Sequence, residues 1–109
     1  MKPMESDWKK FSAMIPVLRE RYLSAKNAQV VSRLTDSTKS ETERFWKAHD
    51  EMEKEAVTLR QCLDDISRSK MWLTLITMRG AGMLKKEDLA DFSEELQKQV
   101  FYDPSRKTG

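Results

Sequence analysis

The chain has one cysteine, Cys62, so no disulfide can close within it, and a reducing, cytoplasmic setting is expected. Its one histidine, His49, leaves out the multi-histidine ligand sets of zinc and di-iron sites. Three glycines and three prolines in 109 residues give the backbone few places to break. The longest apolar stretch, Met71 to Met78, is interrupted by Thr74 and Thr77. It falls far short of the roughly 20 residues that a membrane span needs. The opening residues turn charged at Lys2, Glu5 and Asp7, which is not the pattern of a signal peptide. A formal net charge of +2 names no partner by itself.

What the chain does have is 39% hydrophobic and 35% charged residues, closely interspersed, a composition suited to amphipathic helices. Trp8, Phe11, Ile15, Leu18, Tyr22 and Ala25 step by three and four, which predicts a first helix with one buried stripe. Ser6 or Asp7 would cap its start. Pro16 lies inside the pattern without changing its phase, so a kinked helix is expected, continuing through Val30, Val31 and Leu34. Residues 35–40, all polar, read as a turn. They end in two overlapping capping boxes, Thr38 with Glu41 and Ser40 with Glu43.

The second helix shows the cleanest periodicity, at Phe45, His49, Met52, Ala56, Leu59, Leu63 and Ile66. A helix from Glu41 to Ile66 would be about 39 Å long. Glu43 with Lys47, Asp50 with Lys54 and Asp64 with Arg68 are spaced to pair one turn apart. Ser67-Arg68-Ser69 either interrupts this helix or is absorbed by it. Met71 to Met78 forms a third helix, apolar nearly all round, that Gly80-Ala81-Gly82 stops. Leu89, Phe92, Leu96 and Val100 mark a last helix from about Lys86, with Glu87 and Asp88 in its first turn. The resulting expectation is an all-α, bundle-like fold: an antiparallel hairpin of two long amphipathic helices plus two shorter C-terminal ones. Residues 1–102 form one domain and 103–109 a flexible tail.

No group of residues invites a catalytic role. His49 and Glu53 are one turn apart and offer two metal ligands. His49 nevertheless occupies the apolar stripe, so it reads as a structural or interface histidine, with no metal or other cofactor. Cys62 adjoins Leu59, Leu63 and Ile66 and reads as a packing residue. Gly80-Ala81-Gly82 lacks the lysine and spacing of a phosphate loop, and no zinc, EF-hand or nucleophile-elbow spacing occurs.

Two binding readings remain. Apolar residues off the stripes, Met14 and Val17 on the first helix and Trp46 and Val57 on the second, exceed what one hairpin seam can cover. They imply either the C-terminal helices or another protein, most simply a second copy, in a regulatory or adaptor-like, self-associating module. The alternative is nucleic acid along the basic side of the first helix, at Arg19, Lys26 and Arg33. Val30 to Trp46 loosely resembles a helix-turn-helix. Its turn, however, has no glycine, and Glu41 and Glu43 would meet phosphate with like charge.

Overall fold

A computed structural model describes residues 5–101, and within them the fold is all-α: four helices, no strand. Helix α1 spans Glu5–Leu34 and runs unbroken through Pro16. It is already under way at Glu5, so Ser6 and Asp7 stand inside it and are not its cap. Asp7 instead turns inward. Its carboxylate accepts from the Ser93 backbone N–H at 3.0 Å and the Ser93 hydroxyl at 2.6 Å. A buried carboxylate needs such donors, and here they tie the two ends of the sequence together.

Helix α2 spans Glu41–Leu63. Ser40 caps it as expected, its Oγ accepting from Glu43 N–H while the Glu43 carboxylate accepts from Ser40 N–H. The Ser40 contacts hold the Glu43 carboxyl below its ordinary pKa. The second expected box does not form, because Thr38 donates through both N–H and hydroxyl to Asp36 within the turn. α2 ends at Leu63, short of Ile66: Asp64 is extended and Asp65 adopts a φ of 59°, a conformation that aspartate tolerates better than most residues. Ser67-Arg68-Ser69 therefore interrupts the helix, and a short 3₁₀ turn at Arg68–Lys70 leads into α3, Met71–Gly80. Gly82, at φ 77°, turns the chain out of α3 in a left-handed conformation that favours glycine.

The last apolar set is buried as expected, but not on one helix. Lys86–Leu89 is a 3₁₀ turn, and α4 starts only at Glu94, capped by Ser93 and ending at Val100. Leu89, Phe92, Leu96 and Val100 still face inward, because the intervening turn advances the chain in helical steps.

α1 and α2 lie antiparallel, with Tyr22 donating to Glu55 and Arg33 bridging Glu51 at 2.6 Å. Arg33 and Glu51 thus join a basic residue of α1 to an acidic one of α2. Arg68, expected to pair with Asp64, reaches Glu5 instead, and Arg21 pairs with Asp88, both at 2.7 Å. The core sits at one end of the hairpin, where Phe11 and Leu18 meet Met71, Leu75, Leu89 and Leu96. The far end of the hairpin projects beyond it. The molecule measures 54 × 32 × 18 Å, and its radius of gyration is 17.2 Å. A compact chain of this length would have about 13 Å.

Candidate protein interface

The α2 stripe is divided by the reach of the C-terminal helices. Leu59, Leu63 and Ile66 pack against the core cluster. About two to four turns nearer the hairpin tip, Phe45 and Met52 are each 57% exposed, and His49 is exposed between them. The expectation that all of them would lie in an internal seam is thus corrected. α3 and α4 are too short to extend over the distal half of α2. In that half α2 meets α1 through Ala48, Glu51 and Glu55, residues that periodicity of apolar side chains does not flag.

Phe45, Ala48, His49, Met52 and Ala56, with Leu34 across from α1, line a shallow apolar groove of about 620 Å³. Trp46 lies beside it, 54% exposed, its ring edge-on to Phe45 at 5.0 Å and to His49 at 5.4 Å. Val57 is exposed further along α2. Contiguous apolar surface of this kind on a small protein marks a contact site more often than chance exposure. Glu53 supplies charge at its edge.

The four residues singled out from sequence do not form one surface. Trp46 and Val57 are exposed on α2, off the stripe that lines the groove. Met14 is half-buried against the core and lines a small cleft with Phe92 and Asp88. Val17, nearby on α1, is 63% exposed but lies at the core end of the hairpin. Sequence inspection also missed Phe45 and Met52 as surface residues. Their stripe continues without interruption into residues that are buried, and periodicity carries no information about where the cover stops.

The basic residues of α1 have protein partners. Arg33 bridges Glu51, Lys26 Nζ lies 5.2 Å from the Tyr22 ring centroid, and Arg19 is 3.6 Å from Glu20. The side-by-side hairpin also differs from a helix-turn-helix, whose two helices cross at a steep angle. At the tip, Arg44 is consumed by the turn: its Nε donates to the Asp36 carbonyl at 2.7 Å and the Lys39 carbonyl at 3.1 Å.

His49, Asp50 and Glu53 bring one ligand atom each within 4.8 Å of one another, all on exposed side chains. His49 Nδ1 lies 3.2 Å from Asp50 and Nε2 3.7 Å from Glu53. Nothing buries or orients these donors beyond their own helix, which is the support that a built metal site provides. Cys62 is buried, and that burial pushes its thiol pKa up, away from the thiolate a nucleophile needs. Tyr22 is likewise pushed up, first by burial and then by its bond to the Glu55 carboxylate. Among the described residues no helix is long and apolar enough to cross a membrane. Comparison with known proteins matches the chain to no family model, no curated protein and no solved structure.

Proposed function

We propose that this chain is a non-enzymatic, helical protein–protein interaction module, regulatory or adaptor-like in role and self-associating, working in the cytoplasm. The observation that carries this reading is the uncovered half of the α2 stripe. A helix that packs Leu59 and Leu63 against its own core leaves Phe45, His49 and Met52 exposed on the same helical face, with Ala56 half-buried between. Leaving aromatic and thioether side chains there forgoes roughly 1.5–3 kcal/mol per fully buried residue. A partner helix laid in the groove would recover much of it.

Sedimentation across a concentration series tests this directly. Wild type should show mass action between smaller and larger species. Phe45→Glu with Met52→Lys should sediment as the smaller species at every concentration, with an unchanged melting curve because neither residue touches the core. Variants that associate like wild type would remove the groove from the interface, and a wild type that stays monomeric would end the self-association.

A further inference from the structure

Building on that self-association, we infer that two copies pair antiparallel through distal α2, about a two-fold axis passing between residues 50 and 51. Phe45, His49, Met52, Ala56, Leu59 and Leu63 alternate by four and three, the heptad seam that one helix offers to another. The last two are occupied within the chain, so only the first four are free to receive a partner.

Placing the axis between 50 and 51 uses those four and no others. Phe45 then lies opposite the partner's Ala56, and His49 opposite the partner's Met52. Symmetry repeats both pairs. Each layer sets a larger side chain against a smaller or more flexible one, as close packing of two helices requires. The Trp46 indole N–H and the His49 ring come beside the partner's Glu53 carboxylate, so polar groups on the rim meet opposite character.

A parallel pairing does neither. It would set Phe45 against the partner's Phe45 and His49 against the partner's His49. It would also bring both C-terminal caps to the same end, since α3 packs on α2 just beyond the groove. The antiparallel arrangement puts each cap at the other chain's hairpin tip.

The area sets the strength. Phe45, Trp46, Met52 and Leu34 each expose about half of the side chain. Covering them on two copies removes on the order of 800–1,000 Å², the low end of specific interfaces. The dimer should therefore be weak, forming at about tens of micromolar, and should dissociate on dilution.

Spin-label distances test the register. Thr42 and Asp50 are exposed polar residues of α2. Each becomes cysteine in turn, in a Cys62→Ala background or with the buried Cys62 retained if that background melts early. With the axis between 50 and 51, the two copies of position 42 lie seventeen residues apart along the pair. At 1.5 Å per residue that is about 26 Å, read by double electron–electron resonance as a peak near 25–35 Å. Labels at position 50 should fall within about 20 Å of one another. Thr42→Cys labels closer than about 15 Å would mean a parallel seam, and a broad distribution at both positions would mean no fixed register. Either result overturns this inference while leaving self-association standing. A wild type that sediments as a monomer at millimolar concentration would remove the self-association itself.

Discussion

Replacing Asp7 by alanine should cost this protein more than any surface substitution, and the structure says by how much. Asp7 is 2% exposed and accepts two hydrogen bonds from Ser93, the residue that caps α4. Hydrogen bonds to a charged group contribute roughly 1.5–3 kcal/mol each, and a buried donor left unpaired retains its desolvation cost. Part is regained because water can reach Ser93, which is half-buried. A net loss of about 3 kcal/mol is therefore expected. For a domain near 100 residues each kcal/mol shifts Tm by roughly 4–8 °C, so Asp7→Ala should melt roughly 12–24 °C lower. Asp7→Asn keeps an acceptor of the same shape and should recover part of the loss. Scanning calorimetry of both, with Ser93→Ala and the double variant, closes a thermodynamic cycle. If the double variant loses the plain sum of the two singles, or if Asp7→Ala melts within about 3 °C of wild type, the tether is not what holds α4 to α1.

Trp46→Ala should leave Tm within about 2 °C of wild type, since the ring is half in water, yet weaken self-association about tenfold or more. A large fall in Tm would instead place Trp46 in the core. Arg21 holds the Asp88 carboxyl below its ordinary pKa through a bidentate contact at 2.7 and 2.8 Å. A depressed carboxylate stabilises the fold above the unfolded pKa and loses that contribution as pH falls through the folded one. Urea midpoints should thus drop below about pH 4, and drop less in Arg21→Gln, where the contact is already gone. An identical pH profile for the two proteins refutes the assignment. A thiol reagent should label Cys62 slowly until urea unfolds the chain, and rapid native labelling would contradict its burial. Labelled duplex or single-stranded oligonucleotides should show no salt-sensitive anisotropy change, given the partners that Arg19, Lys26 and Arg33 already have. Tight binding that weakens with salt would reverse that.

The helices themselves were legible because their signals are local. Ser40 and Glu43 cap α2 as their spacing predicts, and the α1 stripe through Phe11, Leu18 and Tyr22 is buried. What was not legible depends on partners far along the chain. Asp7 looks like a helix cap until Ser93, 86 residues away, takes both its oxygens. Glu51 and Glu55 look solvated until Arg33 and Tyr22 make their place in the α1–α2 seam tolerable. Phe45 and Met52 look buried because Leu59 and Leu63 on the same stripe pack against the core. Only the lengths of α3 and α4 decide where that stripe emerges into solvent. Of the four residues singled out as surplus to one seam, Trp46, Val57 and Val17 are exposed, while Met14 packs against the core.

The projecting hairpin also affects how the protein moves through solvent. A body of 54 × 32 × 18 Å meets more friction than a sphere of equal mass. On a sizing column a single copy should elute early, at a volume that globular standards would assign to something heavier. An apparent dimer there would be an effect of shape. Two copies paired antiparallel along distal α2 would be longer still, so the anisotropy grows with assembly, and rotational diffusion should slow by more than the doubling of mass alone requires.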